Sequence, residues 1–312
     1  MFTVGILARG STPDTSHRNQ RTGELVRTPA AIRALRPKQW LKNTLVVAAP
    51  LAAGVLTDPD VWLPVVVAFA TFCLASSGVY LVNDALDVES DRAHPTKRSR
   101  PIASGELGVR TAVVMACLLL VAAPVAALLL TTPALALVLV VYEVLQLSYC
   151  IWLKHVPVID IVIVSSGFLI RAIAGAVAVE VPISQWFLLV TAFGSLFMVA
   201  GKRYSEKLSH SDGTTRRSLE HYSLSYLRFV WQLAVALTLI AYSLWAFEPD
   251  DFSTNPWPAL TLIPFSLAAL RYAFSIDRGT AGAPEDTVLG DRLLLGFGLA
   301  WVVLFSISVA VR

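Results

Sequence analysis

Residues 80–105 read YLVNDALDVESDRAHPTKRSRPIASG and lie between two long apolar runs. Asp84, Asp87 and Asp91 are spaced i, i+3 and i+7, so on a helix they would share one face. Carboxylates this close together repel one another unless a cation neutralises them. Oxygen ligands suit a hard divalent cation, and magnesium commonly bridges carboxylates to the phosphates of a substrate. The stretch therefore predicts a magnesium site, to which Asn83 adds an amide oxygen.

The second half of the same stretch is basic. Lys97, Arg98 and Arg100 are natural partners for phosphate groups, and arginine can hold a phosphate through two parallel hydrogen bonds. Cytosolic loops of membrane proteins are generally rich in Lys and Arg, and this tendency alone would explain the cations. It would not explain three carboxylates on one helical face. A site for magnesium and a diphosphate accounts for both signs of charge.

The composition is that of an integral membrane protein. Of 312 residues, 55% are hydrophobic and only 15% are charged, which is too apolar for a water-soluble domain. The apolar segments of spanning length are 41–57, 61–83, 109–130, 132–153, 157–179, 184–202, 224–247, 257–276 and 288–311. We therefore predict an all-α fold, a polytopic membrane protein with nine transmembrane helices.

Lysine and arginine are distributed unevenly between the loops. If the N-terminus is cytosolic, none of the outer turns contains lysine or arginine. These turns are 58–60, 131–133, 180–183 and 248–256. Among the lysines and arginines, only the terminal Arg312 would lie on the outer side of the membrane. This bias predicts that the acidic motif and a second polar loop, 203–223, lie on the cytosolic face. We expect a multi-pass protein of the plasma membrane.

The first 28 residues differ in composition from the rest. They are rich in Ser, Thr, Arg and Gly and have no cleavage-site pattern at a suitable distance. We interpret residues 1–28 as a disordered cytosolic tail and residues 29–312 as a single transmembrane domain whose C-terminus lies outside.

The sequence resembles the UbiA superfamily of intramembrane prenyltransferases. NDALDVESD followed by PTKRSRPIASG is similar to the first aspartate-rich motif of that family and its basic loop. YCIWLKH, 149–155, resembles the end of the family's fourth helix, and RPKQWLKN, 36–43, resembles the amphipathic start of its first helix. The resemblance implies nine helices around a central cavity that opens sideways to lipid, with a polar cap on the cytosolic side.

One position departs from the usual family pattern. Members typically carry a second aspartate-rich motif after the sixth helix, where a second magnesium helps to hold a prenyl diphosphate. Here 201–223 reads GKRYSEKLSHSDGTTRRSLEHYS, with Lys202, Arg203 and Tyr204 where a carboxylate pair is expected. A basic, tyrosine-bearing site could hold a phosphate directly. FGSLFMVAGKRYSE and SYLRFVWQL resemble an actinobacterial branch of the superfamily that uses a polyprenyl phosphate as acceptor.

That branch implies a phosphoribosyltransferase. It would move 5-phosphoribose from phosphoribosyl pyrophosphate to decaprenyl phosphate with magnesium as cofactor, invert the anomeric carbon and release pyrophosphate, as part of arabinogalactan precursor synthesis for the cell wall. The implied partners are these two substrates and the bilayer, with no nucleic acid, and oligomeric state is left open. The alternative is an ordinary UbiA-type prenyltransferase with a prenyl diphosphate donor.

The candidate site residues form three sets. The catalytic metal ligands are Asp84, Asp87, Asp91 and Asn83. The donor-binding residues are Asn83, Lys97, Arg98, Arg100, Lys42 and Asn43. The residues for the acceptor phosphate are Lys202, Arg203, Tyr204, Tyr149, Lys154 and Arg171. Arg171 lies deep in the fifth segment, so it either lines the site or forms a structural ion pair with Glu143. Asp160 is either a site residue or a plain interfacial acid.

Overall fold

The computed structural model describes residues 28–209, 221–247 and 255–311, and every regular element in these ranges is helical. The predicted tail, apart from Thr28, lies outside the described residues. The α-helices are α1 (Ala30–Ala34), α2 (Ala48–Ala52), α3 (Pro59–Leu86), α4 (Val88–Ala93), α5 (Val109–Leu130), α6 (Pro133–Ile151), α7 (Ile159–Ala178), α8 (Gln185–Ser209), α9 (Leu224–Phe247), α10 (Trp257–Asp277), α11 (Pro284–Gly290) and α12 (Arg292–Ala310).

Eight of the described helices are long and apolar enough to cross a bilayer: α3, α5, α6, α7, α8, α9, α10 and α12. Eight predicted segments coincide with them, and most ends agree to within a few residues. The sixth predicted segment is the exception, since α8 continues beyond residue 202 to Ser209. Arg203 and Tyr204 therefore lie on the same helix as Lys202 and not in the polar loop, 203–223, where the sequence placed them.

The first predicted segment, 41–57, is not one continuous helix. It consists of a 3₁₀-helix (Pro37–Val47), the single turn of α2 and a second 3₁₀ turn (Val55–Thr57). Gly54 has a φ of 74°, which ends α2 in a left-handed conformation. The described residues thus contain eight long helices and one interrupted segment, and the predicted count of nine continuous helices is not reproduced.

The interrupted segment is still long enough to reach across the bundle. A 3₁₀-helix rises about 2.0 Å per residue, so Pro37–Ala52 extends roughly 30 Å, close to the thickness of a hydrocarbon core. It lies directly on α7, because a Cβ added at Gly175 would come within 1.8 Å of the Val46 carbonyl oxygen. Only glycine at this position permits so close a contact.

The outer surface of the bundle is apolar. α3 and α7 are the most buried of the long helices, whereas α5 and α12 are the least buried and expose many leucine and valine side chains. Facing α3, α5 buries four alanines completely: Ala112, Ala116, Ala123 and Ala127. Small residues allow helices to pack closely where lipid removes the hydrophobic drive for association. These features are those of an integral membrane protein.

The polar loops gather at one end of the bundle. Successive long helices reverse direction, so α3, α6, α8 and α10 all end on the same side. Two contacts between distant loops confirm the gathering, since Lys154 reaches Asp87 and Lys42 reaches Glu285. We call this side the polar end.

Candidate active site

Two carboxylates of the predicted metal motif converge on one arginine. Asp84, in the last turn of α3, accepts hydrogen bonds from Arg36 Nη2 at 2.6 and 2.8 Å and from Arg100 Nη1 at 3.1 Å. Asp91, on α4, accepts from the same Arg100 Nη1 at 2.6 Å. Both side chains are almost completely buried, with 4% and 2% exposed. We call Asp84, Asp91, Arg36 and Arg100 the acidic cluster.

Asp87 does not share the face of the other two carboxylates. The expectation of one face requires an unbroken helix, but α3 ends at Leu86 and α4 begins at Val88. Asp87 lies at the break with φ −93° and ψ 10°. Its carboxylate bonds to Lys154 Nζ at 2.6 Å and remains 30% exposed. The prediction that Asp87 shares one helical face with Asp84 and Asp91 is therefore wrong. Lys154 lies with the acidic motif and not with the other residues predicted for the acceptor.

The other residues of the donor set surround the acidic cluster to different degrees. Lys97 Nζ lies 3.8 Å from Asp91 Oδ1. Arg98 is exposed, and Asn83 precedes Asp84 on α3, so its side chain leaves the helix in another direction. Lys97 therefore stands closest to the carboxylates, and the roles of Arg98 and Asn83 stay predictions.

Arg36 is a component of this cluster that the sequence interpretation missed. It precedes Pro37 and adopts φ 55° and ψ 60°, which is uncommon for a residue with a side chain. Its guanidinium lies 4.9 Å from the centre of the Tyr80 ring and bonds the buried Asp84. Among the many arginines near the N-terminus, only the following proline distinguished it.

A second cluster forms around Arg203, which the sequence assigned to the acceptor. Arg203 Nη2 donates to the Tyr149 hydroxyl at 3.3 Å and lies 3.5 Å from Asp160 Oδ2. The Tyr222 hydroxyl donates to Asp160 and accepts from the Val158 amide. Within the described ranges, Arg203 Nη1 is buried without a hydrogen-bond partner. We call Arg203, Tyr149, Asp160 and Tyr222 the arginine cluster.

The pKa of Tyr222 follows from this environment. Burial, together with the hydrogen bond to the Asp160 carboxylate, raises the pKa of the Tyr222 hydroxyl well above its usual value. Tyr222 therefore stays protonated and holds Asp160, which in turn orients Arg203. Asp160 is only 1% exposed, so the alternative that it is a plain interfacial acid is wrong.

The two neighbours of Arg203 point elsewhere because consecutive residues leave a helix about 100° apart. Tyr204 is 1% exposed, and its hydroxyl accepts from Arg228 Nη2 at 2.6 Å. Lys202 lies 3.7 Å from Glu206, one turn along α8. The predicted trio therefore does not converge as a single group.

Lys42 pairs with a residue of a distant loop. Lys42 Nζ lies 3.1 Å from Glu285 Oε1 on α11. Burial opposes ionisation of Glu285, but hydrogen bonds to its own backbone amide and to Lys42, and the charges of Lys42 and Lys202, lower its pKa. No motif or spacing in the sequence distinguished Glu285.

Asn43 and Arg171, predicted in different sets, contact each other inside the bundle. Arg171 Nε donates to Asn43 Oδ1 at 2.7 Å, Nη2 to the Tyr142 hydroxyl at 2.9 Å and Nη1 to the Gly167 carbonyl at 2.6 Å. All three nitrogens of the guanidinium thus have protein partners. Asn43, which is fully buried, ties the interrupted first segment to α7 through this bond.

Glu143 is not the partner of Arg171. In the described part of the chain no ion pair joins them, and Glu143 Oε1 is buried without a hydrogen-bond partner. The alternative of a structural ion pair between Glu143 and Arg171 is therefore wrong. Arg171 does not reach the acidic cluster either.

An apolar cavity of about 270 Å³ lies far from the polar end. Ala48, Trp186, Phe187, Phe265 and Trp301 are among its lining residues. Phe187 is sixteen residues before Arg203 on α8, which corresponds to about 24 Å along the helix. The cavity is therefore not where the charged side chains converge.

Residues 44–289 match the UbiA prenyltransferase family. The chain belongs to this family.

Curated relatives and solved structures agree with that assignment. The chain is 55% identical over 285 residues, 87% of this chain and 89% of the relative, to a protein of Mycolicibacterium smegmatis named decaprenyl-phosphate phosphoribosyltransferase. A protein of the same name from Corynebacterium glutamicum is 51% identical over 288 residues, 90% of this chain and 86% of the relative. A UbiA homologue of Archaeoglobus fulgidus bound to GPP and Mg²⁺ superposes with a TM-score of 0.70 at 16% identity, covering 90% of this chain and 99% of that one.

The acidic cluster has the donor set that magnesium uses in a substrate complex. No group of three or more His, Cys, Asp or Glu side chains among the described residues is arranged to hold a metal ion. Magnesium, however, is usually bound by one or two carboxylates together with substrate phosphates and waters, and rarely by an all-protein cage. Asp84 and Asp91 provide two buried carboxylates that already share one cationic nitrogen, Nη1 of Arg100. These residues fit the metal.

Proposed function

We propose that this UbiA-family protein transfers the 5-phosphoribosyl group of phosphoribosyl pyrophosphate to decaprenyl phosphate. The observation that carries the proposal is the pair of relatives at 55% and 51% identity, both named decaprenyl-phosphate phosphoribosyltransferase and aligned along most of their length. The arginine cluster supports it, because it stands where a prenyltransferase of this family has its second aspartate-rich motif.

The acidic cluster is the donor side of the proposed site. Asp84 and Asp91 would hold magnesium together with the donor's diphosphate and waters. When bound, the metal neutralises charge that develops on the leaving pyrophosphate. Arg36 fixes Asp84, and Lys97 and Arg100 stand beside the carboxylates with donors for the diphosphate oxygens.

The arginine cluster is the acceptor side. The unpartnered Nη1 of Arg203 donates to an oxygen of the lipid phosphate, while Asp160 and Tyr149 hold its other nitrogen. Another oxygen of that phosphate bonds to the anomeric carbon as the bond to pyrophosphate breaks, and pyrophosphate leaves with the electron pair. A phosphate monoester is already anionic near neutral pH, so the site needs no strong general base. Positioning and electrostatics supply the rate.

The proposed reaction is tested by incubating the purified protein with magnesium, phosphoribosyl pyrophosphate and decaprenyl phosphate, and measuring the lipid product by mass spectrometry. A gain equal to one phosphoribosyl group on the lipid, lost on chelation and restored by magnesium, is the expected result. A parallel reaction with a prenyl diphosphate donor is the comparison. Prenyl transfer in that reaction, with no phosphoribosyl lipid in the first, would overturn the proposal.

We further propose that the polar end faces the cytosol in the plasma membrane, on the basis of the lysine and arginine bias. Ala93 is exposed at the polar end and Thr57 is exposed at the other end. In a Cys117→Ser background, which removes the exposed native thiol, Ala93→Cys should react with an impermeant thiol reagent only in inside-out vesicles. Thr57→Cys should react only in intact cells. The reverse labelling would invert the orientation.

A further inference from the structure

A carboxylate from the connection between the last two long helices pairs with a lysine of another element and interacts with the charge of a second lysine. Glu285 is on the short helix α11, and its Oε1 lies 3.1 Å from Lys42 Nζ on the interrupted first segment. Lys202 on α8 also acts on the Glu285 charge. Lys42 and Lys202 are far apart in sequence, so the fold itself brings two cations to one anion at the polar end.

This group is electrostatically coupled to the site already described. The Tyr80 hydroxyl interacts electrostatically with Arg36 and Asp84 of the acidic cluster and also with Glu285. Lys202 pairs with Glu206 at 3.7 Å, and the same glutamate acts on the charge of Arg203. The two lysines and Glu285 are therefore electrostatically linked to residues of both clusters.

We propose that Lys42 and Lys202 form an outer subsite that receives the phosphate of the lipid acceptor before it reaches Arg203, and that Glu285 occupies this subsite until the phosphate displaces it. This inference rests on the proposed function and deepens it. Lysine is a compact point charge that suits a phosphate as well as a carboxylate. A phosphate monoester carries about −1.5 to −2 charges near neutral pH, more than one carboxylate, so it competes favourably for two cations.

The position of Lys42 favours the lipid's phosphate over the donor's. Lys42 begins the segment that enters the bundle, and its neighbour Leu41 exposes more than half of its surface. A lysine beside an exposed leucine at the end of a membrane segment lies at the lipid interface, where the head of a polyprenyl phosphate must be. The donor has carboxylates and cations of its own in the acidic cluster.

The ion pair between Lys42 and Glu285 predicts that removing the carboxylate increases the affinity for decaprenyl phosphate. Lys42 and Glu285 are about a quarter and a third exposed, so their contact is weak and easily exchanged. Glu285→Gln removes the competing charge and should lower the KM for decaprenyl phosphate about two- to fivefold, with the KM for phosphoribosyl pyrophosphate unchanged. Lys42→Met should raise the acceptor KM about tenfold. In Lys42→Met/Glu285→Gln the benefit of the glutamine should be lost, because the two residues act on each other.

The matched control is Asp286→Asn, the same charge change on the next residue of α11, which is exposed. It should leave both KM values unchanged. All variants are compared with the full-length protein in the same detergent, with product measured by mass spectrometry and folding checked by thermal unfolding. If Glu285→Gln leaves the acceptor KM unchanged or raises it, Glu285 does not compete with the phosphate and the inference is wrong.

A change in the donor KM in place of the acceptor KM would assign the lysines to the diphosphate and also overturn the inference. Failure of the proposed function gives a different result, since the wild-type protein would then form no phosphoribosyl lipid at all. Direct titration of decaprenyl phosphate by calorimetry separates binding from later steps that KM includes.

Discussion

The acidic cluster and the arginine cluster are both buried, but they balance charge in different ways. In the acidic cluster, Asp84 and Asp91 receive every hydrogen bond described above from Arg36 and Arg100, so each buried carboxylate has a cationic partner. In the arginine cluster, Arg203 pairs with Asp160 and also interacts with the charge of Glu206, but its Nη1 has no hydrogen-bond partner in the described ranges.

The difference indicates what each cluster can bind. A buried charge is costly unless it is paired, so a ligand of the acidic cluster must bring a cation if it takes Arg100 away from the carboxylates. A metal bound to a diphosphate meets that condition. A ligand of the arginine cluster needs only to bring an acceptor for an unsatisfied donor, as a phosphate oxygen does. The two clusters thus separate a metal-bound substrate from a metal-free one.

The largest expected effect comes from removing a carboxylate of the acidic cluster. Asp84→Asn should lower turnover about 100-fold or more, because the metal that stabilises the leaving group loses one of two protein ligands. Glu89→Gln is the matched control, since Glu89 is largely exposed and pairs with Arg92, and it should keep normal turnover. Product formation is followed across a magnesium titration. Normal rates in a folded Asp84→Asn protein would remove Asp84 from the metal site.

The next effect tests the other cluster. Arg203→Ala deletes a charge-assisted contact worth about 1.5–3 kcal/mol, so decaprenyl phosphate should bind roughly tenfold to a hundredfold more weakly while donor binding is unchanged. Calorimetry with each substrate separates the two. Arg110→Ala, a change at an exposed arginine outside the predicted site, is the control. Loss of donor binding with intact lipid binding would mean that the two sides are reversed.

The Arg203 variant also leaves Asp160 buried without its cation, which could destabilise the protein. The double variant Arg203→Ala/Asp160→Asn removes that charge and keeps the test available. It should fold at least as well as the single variant and show the same loss of lipid binding. Retained lipid binding in a folded double variant would show that Arg203 is not a phosphate ligand.

Lys154 distinguishes a grouping by sequence from a grouping by structure. The sequence placed it with the acceptor residues, whereas it bonds Asp87 of the metal motif. Lys154→Met should weaken phosphoribosyl pyrophosphate binding about threefold to tenfold and leave decaprenyl phosphate binding unchanged. Lys38→Met, at an exposed lysine, should affect neither. Weaker lipid binding in Lys154→Met would instead support the predicted grouping of Lys154 with the acceptor residues.

The long helices were predictable because length and apolarity determine which segments cross a membrane. The first segment was not, since its 3₁₀ form depends on contact with Gly175 of α7 and on the turn at Gly54. Such a close contact between distant segments leaves no periodic signal in the sequence.

The site was predictable where its residues are close in sequence and not where the fold joins distant loops. Asp84, Asp91 and Arg100 lie within one short stretch of the sequence, and they come together in the structure. The break at Asp87, by contrast, is a local backbone detail, and Arg36 and Glu285 enter the polar end from other loops. Spacing along one segment predicts which side chains share a face, but only the tertiary structure brings separate loops together.

The smallest expected effect concerns the support of the arginine cluster. Tyr222→Phe removes the hydroxyl that donates to Asp160 and accepts from the Val158 amide. The loss should be about 1 kcal/mol of unfolding free energy, which corresponds to roughly 2 °C in Tm for a chain of this size. Tyr226→Phe is the matched control, because Tyr226 stacks on Tyr222 at 5.7 Å and is partly exposed. Its Tm should be unchanged.

The pH dependence of the same variant gives a stricter test. The pKa of Tyr222 is raised in the folded protein, so its stabilising contribution is fully present below the unfolded value of about 10. That contribution is lost as the pH rises through the higher folded pKa. The difference in Tm between wild type and Tyr222→Phe should therefore be constant from neutral pH to about pH 10 and shrink above it. A difference that grows with pH would mean that Tyr222 ionises readily, and Asp160 would then need another partner to keep Arg203 in place.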